Sequence, residues 1–302
     1  MNLITERKKK VANKRICILS GGGCKGFIQA QVLKKLEQKH GPLHEYYDLV
    51  CGSSVGSING SMLASGRITM DRLETIYSPM IKKVFKRKFG IPFYDRKNFY
   101  NVWMDEIGSM KFGDCLTKMQ ITSVNLCDKR NHFFKSWTDD GNQILAAEVA
   151  KSFAAPLFFG TFIDTVNKCV WMDGGMGVAN IPVAYGLVEA ELLWPNDSWH
   201  FDVIGCGFVN QDIPFDKAKK FKVFRQLSQY FNLEDAGLAR EQVRQEQIGA
   251  LDQLAKASNK LSYRYYDIAI PKKIDKLDGV KYLDEYKKSG IEMAKNPLQQ
   301  HP

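Results

Sequence analysis

The chain has no run of about 18 apolar residues, the length a membrane-spanning helix requires, anywhere in its 302 residues. Its first stretch, Met1 to Arg15, is polar and basic and lacks the apolar core of a cleavable signal peptide. Cysteine is sparse: seven residues lie scattered, without metal-ligand spacing or a paired framework. They read as reduced thiols rather than as disulfides or a zinc site. Only five histidines occur. No repeat, low-complexity tract or Pro/Ser-rich linker cuts the chain in two, and no nucleic-acid-binding signature is present. The expectation is a cytoplasmic protein without a transmembrane helix. Its 44% hydrophobic content is enough for a sizeable core.

Charge is the first positive feature. The formal net charge is +10, part of it in Arg7, Lys8, Lys9, Lys10, Lys14 and Arg15. A second part lies in Lys82–Lys88, where five of seven residues are basic and Val84 and Phe85 are interleaved. Basic excess suits nucleic acid, an anionic membrane face or a merely solvated surface. Without a nucleic-acid motif, the last two remain.

Residues 15–20 read as a short buried strand that Gly21-Gly22-Gly23 ends. Ile28, Val32, Leu33 and Leu36 then recur at helical spacing before Gly41-Pro42. Tyr47 to Cys51 is a second strand, followed by a helix carrying Ile58 and Met62. Helices are expected near 71–83 and 96–107, and a hairpin from strands 119–126 and 132–137. A helix from about 142 to 153 precedes Ala154-Ala155-Pro156. Residues 166–172 hold a turn and strand, and Pro182 opens a helix running to Glu191. Residues 201–206 and 262–270 are further strands; the rest beyond Asn210 is charged and helical in character. Strands alternating with helices predict an α/β fold. Its mainly parallel central sheet would be flanked by helices on both faces, with a helical C-terminal layer. The division is a basic arm, 1–14, and one domain, 15–302, with its core in 15–210 and an extension in 211–302.

Cys51-Gly52-Ser53-Ser54-Val55-Gly56 follows an apolar strand and centres a serine in Gly-x-Ser-x-Gly. Gly52 and Gly56 remove Cβ atoms from a sharp strand-to-helix turn, which pushes the Ser54 hydroxyl out of the sheet. The earlier cluster Gly21-Gly22-Gly23-Cys24-Lys25-Gly26 also fits a dinucleotide fingerprint. That reading needs an acid at the end of the second strand, where this chain has Gly52-Ser53-Ser54. The alternative is an oxyanion hole built from the amides of Gly21, Gly22, Gly23 and Cys24 beside Ser54. Lys25 then either holds the loop's outer face or is solvated. As a base for Ser54, no histidine has an evident triad context; His40 and His44 flank a turn and are expected at the surface. Asp173, at a strand end before Gly174 and Gly175, suits the role better.

A glycine-rich loop, then Gly-x-Ser-x-Gly, then Asp-Gly-Gly in this order resembles the patatin-like phospholipase family. Ser152-Phe153-Ala154-Ala155-Pro156 is similar to that family's small-residue-Pro segment. Asp173 to Pro182, ending Asn180-Ile181-Pro182, is similar to its acidic motif. The likeness covers about residues 14–208. It implies a Ser54–Asp173 dyad, an oxyanion hole around Gly22 and Gly23, and calcium-independent hydrolysis of phospholipid acyl esters with no metal or cofactor. Lys25 stands where members often carry Arg, and Ser20 where many carry Asp. The substrate would be a phospholipid membrane surface, met peripherally. The segment 77–93, rich in Met80, Ile81, Val84, Phe85, Phe89, Ile91 and Phe93, is either a lid or interfacial segment or a core-packed helix. An activating ligand or protein, a lysophospholipase or acyltransferase outcome, and a silent membrane- or partner-binding module all remain open at this level, as does oligomeric state.

Overall fold

The computed structural model describes residues 12–176, 178–210, 216, 219 and 238–302, and side chains from 241 in the last segment. Strand β1 (Asn13–Leu19) has its first residue exposed, the next two half-buried and the last four fully buried. Cys17 and Leu19 face one core, and Ile16 and Ile18 face the other. A strand buried on both faces must be apolar throughout, which is why residues 16–19 carry no polar alternation.

Around β1 stand β2 (Leu49–Ser53), parallel on one side, and β7 (Ser198–Ile204), parallel on the other. The sheet continues through β3 (Lys118–Asn125) and β6 (Cys169–Asp173) to β5 (Phe162–Asp164). In the opposite direction it adds β8 (Leu261–Tyr266), parallel to β7, and β9 (Gln299–His301) at the edge. The expected hairpin is present, with β4 (Arg130–Lys135) antiparallel to β3. The sheet is therefore mixed, parallel at its centre and antiparallel towards both edges.

One face is covered by α1 (Gly26–His40), α2 (Leu43–Tyr46), α3 (Val55–Ser65), α4 (Met70–Val84), α5 (Arg96–Ile107) and α6 (Leu145–Ser152). The other is covered by α7 (Val183–Leu193) and α8 (Leu238–Ala257), through Val183, Ala190, Ile248, Leu251 and Ala255. A last helix, α9 (Leu283–Met293), packs on α1, with Gly290 close against Ile28 O and Gln31. The three-layer α/β/α expectation holds.

Three expectations change. Strand β1 begins at Asn13, so Lys14 belongs to the sheet and pairs with Asp48 at 3.0 Å rather than to an arm. Arg7 to Lys10 lie outside the described residues, as does most of 211–237. The C-terminal third is more than a helical layer: the strand expected at 262–270 forms as β8, and together with β9, which was not expected, it extends the central sheet itself. Strand β5 was not expected; three residues are too few to leave a periodic signal.

Asp202 on β7 is fully buried and ties this later part to the first. It accepts from Arg264 Nε at 2.7 Å and Nη2 at 2.8 Å, and from Tyr47 Oη at 2.9 Å. Burial pushes its carboxyl up, but hydrogen bonds from His200 and Arg264 outweigh that and hold it below the usual carboxylate range. A depressed carboxyl adds stability above its unfolded value of about 4, and this is lost as pH falls through the folded value. Removing one partner of such a pair strands a buried charge at a cost of about 3 kcal/mol or more. Asp202→Asn is expected to lose about that much by urea denaturation at pH 7. The gap to wild type should narrow below about pH 4.

Candidate active site

Strand β2 runs to Ser53, and Ser54 then takes φ 52° and ψ −122° before α3 begins. A non-glycine residue at positive φ stores roughly 1–3 kcal/mol of strain, which the surroundings must offset. They do so by close backbone packing. A Cβ on Gly52 would lie 2.5 Å from Gly56 O, and one on Gly56 would strike Leu19 O. Ser57 Oγ donates to Ser54 O at 2.6 Å, and Ser54 N–H donates to Ser152 Oγ at 3.0 Å. Ser54 makes no side-chain cap to its own helix, so its hydroxyl is free to point elsewhere.

It points at Asp173. Ser54 Oγ donates to Asp173 Oδ2 at 2.7 Å, while Asp173 Oδ1 accepts from Gly175 N–H at 2.7 Å. Both side chains are buried, at 7% and 5% exposure. Gly174 packs against Thr122, where a side chain would collide with the β3 backbone. The two residues nominated from sequence thus meet, 119 positions apart. Among the described residues no histidine nitrogen bonds to Ser54. His40 is half-buried and stacks on Tyr46 rather than standing at the surface. His132 lies on β4 against Trp171.

The glycine loop sits over the same spot: a Cβ on Gly21 would lie 3.1 Å from Ser54 Cβ. Its amides are not equivalent. Gly21 N–H donates to Asn180 O at 2.9 Å, and Cys24 N–H to Leu277 O at 2.7 Å. These two are already committed, which corrects the four-amide set drawn from sequence. The amides of Gly22 and Gly23 make no hydrogen bond within the described residues. Gly23 has φ +60° and abuts Leu277 O, so no other residue fits there. Burial pushes the Cys24 thiol well up, which leaves it un-ionised and no rival nucleophile.

Lys25 is 2% exposed and its Nζ pairs with Asp275, so the solvated alternative is overturned. The ammonium reaches this one carboxylate as a point charge. Gly26 lies against Val55 and Tyr77 and lets α1 start there. Below the loop, Gln29 Nε2 donates to Ser20 O and Ile204 O, both at 2.9 Å, and Asn59 Nδ2 donates to Gln29 Oε1 at 3.0 Å. Ser20, a departure to which the sequence attached no consequence, takes part through its carbonyl.

Asp275, Leu277, Gln29, Asn59 and Ser152 were not singled out as site residues. Gln29 and Asn59 carried a faint signal, as polar residues inside otherwise buried helical faces. Asp275 carried none, since it lies 250 residues from Lys25. Asn180 was visible only within its motif; its buried Oδ1 has no partner and faces both Gly21 and Gly175. Among the described residues no group of three or more His, Cys, Asp or Glu is arranged to hold a metal. Gly177 of the acidic motif lies outside the described residues.

The segment 77–93 divides in two. Tyr77, Met80, Ile81, Val84 and Phe85 are core, as a packed helix requires. Residues 86–91 are exposed, with Phe89 at 106% and Ile91 at 71%. The tip is closed by an isolated antiparallel bridge between Arg87 and Tyr94, and Phe93 N–H and Tyr94 N–H donate to Leu157 O and Phe158 O.

Comparison with known proteins agrees in direction. The family described as patatin-like phospholipase matches residues 17–187. A cGAMP-activated phospholipase of Escherichia coli (strain TW11681) is 28% identical over 225 residues, covering 66% of this chain and 63% of that protein. The calcium-independent phospholipase A2-gamma of Homo sapiens is 27% identical over 228 residues, covering 66% of this chain and 29% of that protein. The chain thus spans less than two thirds of the length of these relatives. Among solved structures, VipD from Legionella pneumophila aligns at TM-score 0.44 and 12% identity, covering 99% of this chain and 73% of that one.

The Lys25–Asp275 pair offers a test of how the loop is held. Lys25→Met leaves Asp275 buried without its cation and should lower stability by about 3 kcal/mol in chemical denaturation. A loss under about 0.5 kcal/mol, the level of a surface pair, would show that the pair does not anchor the loop.

Proposed function

The chain belongs to the patatin-like phospholipase family, and on that premise we propose that it is a lipid acyl hydrolase of the phospholipase A type. It works through Ser54 and Asp173 without calcium. The observation that carries the reading is the 2.7 Å hydrogen bond from Ser54 Oγ to Asp173 Oδ2 beneath the glycine loop. Ser54 Oγ attacks the ester carbonyl carbon as Asp173 takes its proton. The carbonyl oxygen becomes an anion, and the uncommitted amides of Gly22 and Gly23 are the donors available to it, each worth about 3 kcal/mol. Collapse breaks the ester bond; Asp173 returns the proton to the departing lysolipid alkoxide. Water then gives a proton to Asp173 and attacks the acyl-Ser54 ester; as the fatty acid leaves, Asp173 returns that proton to Ser54 Oγ.

Apolar surroundings support a lipid substrate. Beside Gly23 and Val55 lies a cavity of about 10 Å³ walled by Ile58, Tyr77, Met80, Phe85, Phe99 and Phe153. That is room for about one water, so an acyl chain enters only if the wall parts. The relative described as cGAMP-activated supports a form of this chain that is switched on by a ligand. A phospholipid membrane surface is the partner, met through the exposed tip: Lys86, Arg87 and Lys88 sit beside Phe89 and Ile91, a basic and apolar pairing suited to an anionic interface.

Ser54→Ala and Asp173→Asn should each lower fatty-acid release from mixed phospholipid vesicles in EDTA by about a thousandfold or more. Far-UV circular dichroism should be unchanged. Wild-type release by either variant, or wild-type activity only with added calcium, defeats the reading.

The tip is tested separately. Lys86→Glu with Lys88→Glu, and Phe89→Ser with Ile91→Ser, should each weaken sedimentation with phosphatidylserine vesicles several-fold. Only the charge pair should lose its effect in high salt. Unchanged sedimentation by both double variants would remove the tip from the interface.

A further inference from the structure

On the outer side of α1, away from Ser54, a groove of about 390 Å³ runs between α1 and α9, with Glu74 of α4 at its border. One wall is a face of α1, and the other is the end of α9 with the turn that follows it. Gln31, Lys34, Lys35 and Gln38 follow i, i+3, i+4, i+7 spacing on α1; Lys287 and Ile291 lie one turn apart on α9, and Ala294 and Lys295 lie in the turn that ends it. The volume is that of a small-molecule site.

Two features distinguish this groove from an ordinary solvated seam. Gln31 is 5% exposed, and its buried Nε2 has no hydrogen-bond partner. Gly290 packs directly on its Cβ and Cγ, which fixes the side chain in the groove wall. An unsatisfied buried amide costs about 1–3 kcal/mol, so a bound acceptor would relieve it. The second feature is charge. Four lysines face one carboxylate across the lining. Glu74 takes Lys287 at 2.5 Å and Lys34 at 3.4 Å, Asp71 takes Lys34 at 2.8 Å, and Glu292 takes Lys295 at 2.5 Å. Lys35 is exposed and has no ion pair among the described residues. Even with Asp71 and Glu292 counted, the site keeps an excess positive charge.

We propose that this groove binds a phosphorylated small molecule. Its phosphate oxygens accept from the Gln31 amide and the lysines, and its less polar part rests on Ile291 and Ala294. Lysine ammoniums on two facing walls suit charge spread over several phosphate oxygens. The recess suits a soluble ligand better than a membrane, because Gln31 lies below the rim that Lys35 and Lys295 form. The proposal is independent of the hydrolase reading, and its test reads binding alone.

Isothermal titration calorimetry of the full chain with inorganic pyrophosphate and with ADP, in about 50 mM salt, provides the test. Saturable one-to-one binding of at least one of the two is expected. Lys35→Glu with Lys295→Glu, both exposed and safe for folding, should weaken it by about tenfold or more. Gln31→Met, which keeps side-chain length but removes the amide, should weaken it several-fold while circular dichroism stays unchanged. Absence of saturable binding to wild type, or equal affinity in the charge-reversed variant, overturns the site. So does binding only to phosphatidic acid vesicles, lost in that variant, with neither soluble probe bound: the groove would then serve a lipid headgroup.

Discussion

Strand β3 is the template on which the site depends. Along one of its edges, Thr122 pairs with Ser53 at the end of β2, and the next residue, Ser123, pairs with Asp173 at the end of β6. Strand β4 occupies the other edge over the same stretch. Where parallel β2 stops, antiparallel β6 takes over the vacated edge, and the two strand ends meet head on. Ser54 and Asp173 are thus brought together by two consecutive rungs of backbone pairing, not by flexible loops. A slip of one residue in either strand would turn the side chains to the opposite face and separate the pair. Ser123 Oγ helps hold the register by donating to Met172 O at 2.9 Å and Lys151 O at 3.2 Å.

The glycine loop has the opposite problem, since three residues without side chains hold nothing themselves. Its position is imposed from outside. Asn180 O and Leu277 O take the Gly21 and Cys24 amides, and Gln29 takes the carbonyl before the loop. Lys25 is clamped by Asp275. Every anchor but Gln29 comes from beyond the midpoint of the chain, two of them from its last thirty residues. The C-terminal third therefore takes part in building the site through the loop, by Asp275 and Leu277. Pinning the flanking amides is also what leaves those of Gly22 and Gly23 uncommitted at fixed positions, the condition for preorganised donors.

What could be read from the sequence was local or ordered. The helix expected at 96–107 and the hairpin around residues 128–131 follow from periodicity and turn chemistry within short windows. Ser54 and Asp173 were legible because glycines mark tight backbone passages on either side. The second strand was expected to end at Cys51, since Gly52-Ser53 looks like turn; it runs on to Ser53 because Ser54 has to stand at the very edge of the sheet. Lys25 was ambiguous because a cation beside glycines usually faces water, and its partner is 250 residues away. Strand β9, with Gln299 and Gln300 exposed, has no apolar alternation at all and exists only by pairing with β8. Segment 77–93 looked uniform in composition, yet helix α4 buries its apolar stripe while the tip beyond Phe85 has nothing to pack on. Composition could not separate them; burial does.

On the hydrolase reading, this division also says where a buried dyad gains access to lipid. The sheet side of the site is fixed by register, and the loop by ion pair and backbone bonds, so neither yields without breaking polar contacts. The remaining wall is aromatic: Phe85 lies edge-on to Phe153, Phe159 and Tyr94, and Phe99 tilts against Phe153. Those rings are held chiefly by dispersion and burial, which an acyl chain replaces in kind as it slides between them. The same wall is tied to the exposed tip through Phe93 and Tyr94 on residues 157 and 158. On the same reading, a tip displaced at an interface would pull on the wall through these two bonds. The aromatic flank is not free of polar ties, since Tyr94 Oη donates to Asp278 Oδ2 at 2.7 Å, but its ring-to-ring contacts carry no hydrogen bond, and on the hydrolase reading the wall parts there for lipid.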